Sequence, residues 1–144
     1  MTQPTELPGK AHSLKLRVYY EDTDAAGIVY HGSFIRWAER GRTEYLRAVG
    51  FNHNEIADAH GLHFAVRHIG IDYLSPGKLD DMLEVRTEVT ACGNTSVTMD
   101  QTVSRESKVL AQLKVTVVAI SPEGRPVRLP PHLRQIFSSH LPAK

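Results

Sequence analysis

Ser33-Phe34-Ile35-Arg36-Trp37-Ala38-Glu39-Arg40-Gly41-Arg42-Thr43-Glu44-Tyr45-Leu46-Arg47-Ala48-Val49 is the stretch that decides the fold. Phe34, Trp37, Ala38, Gly41, Tyr45 and Ala48 recur at helical spacing and form one apolar stripe. Arg36, Glu39, Arg40, Arg42, Glu44 and Arg47 occupy the other faces, and Gly50 supplies a C-terminal stop. The spacing predicts a helix over residues 33–49, roughly 25 Å long and able to cross a small sheet. Gly41 lowers helix propensity, so its expected value is close approach to whatever packs over the helix.

Outward from this helix the period changes from helical to alternating. Residues 14–19 alternate apolar and polar side chains ahead of it, as a strand does. Downstream, residues 54–59 predict a short helix closed by His60-Gly61. Residues 62–74, 82–91, 95–103 and 109–120 then predict strands, separated by Ser75-Pro76-Gly77, Gly93-Asn94 and Glu106-Ser107-Lys108. Residues 122–131 are a turn-rich connection, and 132–140 predict a terminal helix behind Pro130-Pro131. One striped helix followed by strands on short connections is an α+β pattern with an antiparallel sheet. A doubly wound parallel sheet would need more helices.

The chain has 144 residues, enough for one core, with 41% hydrophobic and 23% charged residues. One folded domain is expected over residues 12–140, preceded by a flexible tail over 1–11 that carries Pro4, Pro8 and Gly9. A net charge of +1, with acids interspersed among the Lys and Arg residues, argues against a nucleic-acid stripe. No apolar run is long enough for membrane insertion, and the start lacks the apolar region of a signal peptide. Cys92 is the single cysteine, which excludes an intrachain disulfide and suits a reducing, cytoplasmic setting.

The chemistry concentrates in Tyr19-Tyr20-Glu21-Asp22-Thr23-Asp24-Ala25-Ala26-Gly27-Ile28-Val29-Tyr30-His31, between the first strand and the long helix. Three carboxylates, several tyrosines and a histidine lie beside a helix start, where free N–H groups favour developing negative charge. Acids there also serve simply to complement the helix dipole. Gly27 permits a backbone conformation closed to residues with a Cβ, and Ile28-Val29 can hold the turn against the core. Asp22 to Gly27 begins like a calcium loop, but Ala26 fills a ligand position and Ser33 stands where a bidentate Glu belongs. His53, His60, His63 and His68 lack the spacing of a zinc site, and no Gly-x-Ser-x-Gly elbow supports a serine triad.

Asp24, Gly27-Ile28-Val29-Tyr30-His31, Phe34, Trp37, Glu39 and Arg42 together resemble the opening of the hotdog-fold acyl-CoA thioesterases. The similarity is greatest to their Tol–Pal-associated, YbgC-like group and weaker to 4-hydroxybenzoyl-CoA thioesterase. Tyr73-Leu74-Ser75-Pro76-Gly77-Lys78-Leu79-Asp80-Asp81 is similar too, so the resemblance spans about residues 14–130.

The resemblance implies a hotdog fold, in which a five- to six-stranded antiparallel sheet wraps a long central helix. It implies a homodimer or homotetramer paired edge to edge, with sites at the interface. It places the catalytic carboxylate at Asp24, as nucleophile or general base, and a carbonyl-polarising backbone N–H on or beside His31. Tyr20 would line the site, and Gly27, Ile28, Val29 and Tyr30 would contact substrate. A thiolate leaves without a strong general acid, so neither cofactor nor metal is called for. The expected partner is an acyl-CoA or acyl-carrier thioester, with acyl carrier protein included. Glu39 is expected to form an ion pair with Arg42 or Arg36, and Arg67, Lys78 and Arg105 are candidates for coenzyme A phosphates. Two other readings stay open: a hotdog hydratase or dehydratase, and a non-catalytic protein that binds acyl carriers.

Overall fold

Helix α1, His31–Ala48, lies across one face of a five-stranded sheet in a computed structural model that describes residues 11–24 and 26–142. The strands are β1 (Ala11–Arg17), β2 (His63–Tyr73), β3 (Met82–Cys92), β4 (Ser96–Arg105) and β5 (Lys108–Ile120). Their order in the sheet is β1-β3-β4-β5-β2, and every pairing is antiparallel. Two further helices, α2 (His53–His60) and α3 (Pro131–Ser139), complete the fold. This is the expected α+β hotdog architecture with five strands. The tail expected over residues 1–11 lies outside the described residues, apart from Ala11, which begins β1.

Packing follows from the two periodicities. Phe34, Trp37, Ala38, Gly41 and Tyr45 are buried on α1 as the stripe predicts. Leu46 is buried too, whereas Ala48 at the helix end is only half-buried. The stripe shares one core with Leu83, Val85 and Val89 of β3, Val97, Met99 and Val103 of β4, and Leu113, Val115 and Val117 of β5. Full burial of each large apolar side chain contributes roughly 1.5–3 kcal/mol, so this seam dominates stability. A Cβ on Gly41 would lie 2.8 Å from both Thr87 Oγ1 and Val85 Cγ1. Close approach is therefore the reason for a glycine in mid-helix.

Gln101 breaks the apolar alternation of β4 yet is only 1% exposed. Its Nε2 donates to Ala38 O and to Thr87 Oγ1, both at 2.8 Å, while its Oε1 accepts from Arg42 Nη1 at 3.0 Å. A buried amide with all these bonds made ties helix to sheet without a desolvation penalty.

Some boundaries differ from the sequence pattern. The first strand runs Ala11–Arg17 rather than over 14–19, because its partner β3 begins at Met82, opposite Arg17. Val18 then leaves the ladder and exchanges backbone bonds with Asp80 and Asp81. The turn between β3 and β4 sits one residue later than Gly93-Asn94: Gly93 N–H donates to Ser96 O at 2.8 Å, which leaves Asn94-Thr95 at the tip. Leu129 and Ala119 N–H groups hold the Asn94 and Thr95 carbonyls, so long-range bonds set this turn.

Candidate active site

The three acids before α1 have three different jobs. Asp22 is buried and acts as a hub: its carboxylate accepts from Tyr19 N–H at 2.8 Å and from Arg36 Nη2 at 3.2 Å. Its carbonyl accepts from Tyr30 N–H at 2.9 Å and from Ser33 Oγ at 3.0 Å. These bonds fix the entry to the helix. Glu21 is exposed, in the short 3-10 turn Tyr20–Asp22.

Asp24 is exposed and sits in a tight loop. Its Oδ1 accepts from Ala26 N–H at 2.9 Å, a local turn that holds the carboxylate by one oxygen. Asp24 N–H donates to Ile28 O and Gly27 N–H to Asp24 O, closing a hairpin in which Thr23 bridges Val29. Gly27 has φ +76, a left-handed conformation that a residue without a Cβ adopts at no steric cost.

A second segment clamps this loop. Val29 N–H donates to Gly77 O at 2.8 Å, Leu79 N–H to Gly27 O at 3.2 Å, and Ile28 bridges Lys78. A Cβ at Gly77 would come within 2.9 Å of Val29 Cγ2, so Gly77 is what lets the two segments touch. The Tyr73-to-Asp81 block thus supports the loop.

The start of α1 is open. Tyr30 is its N-cap and gives no side-chain cap; Ser33 N–H turns back to Tyr30 O at 2.9 Å. The N–H groups of His31 and Gly32 have no partner among the described residues. Two donors at the positive end of an 18-residue helix are available to an anionic oxygen.

Beside them is a crevice of about 320 Å³ lined by Ile28, Val29, His31, Phe34, Tyr73, Leu74, Ser75 and Pro76. Of the sequence candidates, Ile28, Val29 and His31 line it, whereas Asp24, Tyr20, Gly27 and Tyr30 do not. Tyr20 is 79% exposed, and the Tyr30 ring packs on His31 with centroids 4.4 Å apart. Phe34 and Tyr73 are site residues to which the pattern alone assigns other work, as a helix stripe position and a strand end. The Tyr73 hydroxyl donates to His31 O at 3.1 Å, and its ring meets Phe34 edge to face.

Glu39 forms neither of its expected ion pairs. Arg36 is engaged by Asp22, and Arg42 points into the sheet toward Gln101. Burial pulls the Arg42 guanidinium below its ordinary value, and the negative charge of Glu39 opposes that fall. Glu39 instead borders a small cavity of about 100 Å³ with Arg42, Thr43, His53, Phe64 and Val66. Among the phosphate candidates, Arg105 is held by Asp81 at 2.8 Å, Lys78 lies beside Ile28, and Arg67 sits at a bulge in β2. Among the described residues no three His, Cys, Asp or Glu side chains gather to hold a metal ion, and no helix is long and apolar enough to cross a membrane.

Known proteins are similar to this chain in sequence and in fold. The thioesterase superfamily profile matches residues 26–112, starting two residues past Asp24. An acyl-CoA thioesterase YbgC of Haemophilus influenzae is 37% identical over 126 residues, covering 87% of this chain and 93% of that protein. An acyl-CoA thioester hydrolase YbgC of Escherichia coli is 43% identical over 117 residues, covering 80% and 87%. The crystal structure of a probable thioesterase from Bartonella henselae superposes with a TM-score of 0.80 at 36% identity, covering 83% of this chain and 99% of the other. The chain therefore belongs to the thioesterase superfamily, among the YbgC-like hotdog enzymes that hydrolyse thioesters.

Proposed function

We propose that this protein hydrolyses acyl-CoA thioesters, with Asp24 as the reactive carboxylate and the α1 N-terminus as the oxyanion site. The supporting observation is the pair of open N–H groups at His31 and Gly32, one short hairpin away from a carboxylate with one oxygen unbonded among the described residues. The thioester carbonyl oxygen takes the N–H groups, which stabilise the charge as the carbon becomes tetrahedral. Asp24 either adds to that carbon, giving a mixed anhydride that water then cleaves, or removes a proton from the attacking water. In both cases the C–S bond breaks and coenzyme A leaves as its thiolate. An acid quench with radiolabelled acyl-CoA separates the routes: acyl group retained on the protein marks the anhydride.

The crevice wall of Ile28, Val29, Phe34, Tyr73 and Leu74 suits an apolar acyl group. Lys78, beside Ile28, suits a coenzyme A phosphate. The working unit is a homodimer or homotetramer in the cytoplasm, joined through the edge of β2 that no described strand pairs. Its reaction needs no cofactor.

Thiol release from a panel of acyl-CoA substrates tests the reading. The wild-type protein turns over at least one of them, and Asp24→Asn lowers kcat by about 10³-fold or more while the thermal midpoint holds. Full activity in Asp24→Asn removes Asp24 from the chemistry. Water addition to an enoyl thioester without thiol release makes the protein a hydratase instead.

A further inference from the structure

We propose that Tyr73 is a positioning residue for the oxyanion site, acting through the peptide that joins His31 to Gly32. The inference rests on the thioesterase reading above. It starts from one contact: the Tyr73 hydroxyl, on the last residue of β2, donates to the His31 carbonyl oxygen at 3.1 Å.

That carbonyl belongs to the same peptide unit as the Gly32 N–H, one of the two open donors. Fixing the oxygen fixes the N–H that points the opposite way along the same plane. A hydrogen bond to the carbonyl also polarises the amide, and a polarised amide is a stronger donor. The first turn of a helix needs such help, because its N–H groups lack partners and its ends fray. Tyr30 gives no side-chain cap here, so the Tyr73 hydroxyl is the side chain that adds a second bond to a carbonyl otherwise held by the helix's own N–H ladder.

The ring of Tyr73 is itself held. It packs edge to face on His31 and on Phe34, with centroids 6.1 and 5.8 Å away. Phe34 in turn packs edge to face on the fully buried Trp37. Immediately after Tyr73 the backbone is pinned as well, since Leu74 and Ser75 N–H groups both donate to Leu110 O. The hydroxyl is thus carried on a rigid base and reaches the open end of α1. Tyr73 is 45% exposed and borders the crevice, so burial of its hydroxyl does not explain why a tyrosine stands there. A phenylalanine would fill the packing role equally well.

Tyr73→Phe keeps the ring and deletes the bond; Tyr73→Leu deletes both. With the best acyl-CoA of the panel, Tyr73→Phe lowers kcat about 10-fold, less than the roughly 10²–10³ typical of losing a donor outright. KM stays within about two-fold and the thermal midpoint is unchanged, since a half-exposed hydroxyl contributes little to stability. Tyr73→Leu loses kcat and thermal stability together. Wild-type kcat in Tyr73→Phe overturns the proposal, and so does a rise in KM alone, which would make the hydroxyl a direct contact to substrate instead of a brace for the His31 carbonyl. A fall in thermal midpoint that accounts for the lost activity overturns it too. Absence of thiol release from the wild-type protein with every substrate overturns the thioesterase reading itself, an outcome separate from these.

Discussion

Asp22 and Asp24 stand two residues apart and should respond oppositely to substitution. Asp22 is 6% exposed and gathers Tyr19, Arg36 and, through its carbonyl, Tyr30 and Ser33. Asp22→Ala removes two bonds to a charged acceptor, each worth roughly 1.5–3 kcal/mol before relaxation. The Arg36 partner is half exposed, so its share is discounted by solvent. A net loss of about 1–3 kcal/mol is expected in urea unfolding, with activity falling because the start of α1 loosens. Asp24→Ala should leave stability within about 0.5 kcal/mol of wild type, as surface substitutions do, while thiol release disappears. Sequence alone shows three acids before a helix and cannot sort them. What sorts them is the Arg36 guanidinium in the second turn of α1 and the Ser33 hydroxyl, contacts that depend on the loop already being folded. His12 gives a pH signature at the same scale. Burial lowers its imidazole below the ordinary 6.5, with Glu44 opposing, and its Nδ1 has no partner among the described residues. Folded His12 stays neutral where the unfolded chain takes up a proton, so the folded state is destabilised as pH falls below about 6.5. His12→Val should flatten the part of the stability profile that falls away below about pH 6.5, measured as the urea midpoint at each pH.

The elements are largely legible in the sequence because their periodicities are clean. The α1 stripe and the alternation in β3, β4 and β5 are both strong, and both survive in the buried faces. Boundaries are less legible, since β1 ends where β3 runs out of partners and the β3–β4 turn is set by Leu129 and Ala119. Neither fact is local to the residues concerned. Gln101 is invisible for a similar reason: its environment is α1, which a strand pattern does not contain. Gly41 is legible, and it carries a test of how α1 packs on the sheet. Alanine gains about 1 kcal/mol of helix propensity over glycine. Against that, the new Cβ would press on Thr87 Oγ1 and Val85 Cγ1, and Thr87 Oγ1 is tied to Gln101. Overpacking a tight core costs typically about 1–3 kcal/mol. Gly41→Ala should therefore be destabilising by about 1–2 kcal/mol in urea, and Gly41→Val by more. A more stable Gly41→Ala would mean that α1 can lift off the sheet at little cost.

At the scale of the molecule, the sheet has two edges, and only one of them suits association. β1 is short, and its outward-facing positions carry Ser13, Lys15 and Arg17. β2 has eleven residues, pairs only with β5 among the described strands, and leaves Val66 and Tyr73 exposed. A long unpaired edge with exposed apolar residues templates another strand unless something covers it. The open crevice beside His31 includes the end of β2, so a strand laid along that edge would also wall the site. This links assembly to activity in the proposed homodimer. Val66→Lys places a charge on the edge without touching the buried stripe of α1. In sedimentation velocity it should shift the protein toward monomer, and thiol release should fall in proportion to the dimer lost. Raising the protein concentration should restore both together, because association follows mass action. A monomeric Val66→Lys variant with full activity would place the whole site within one chain. Wild-type sedimentation of that variant would move the contact to another face, because an ammonium group left unpaired in a seam between strands costs too much for association to stay intact.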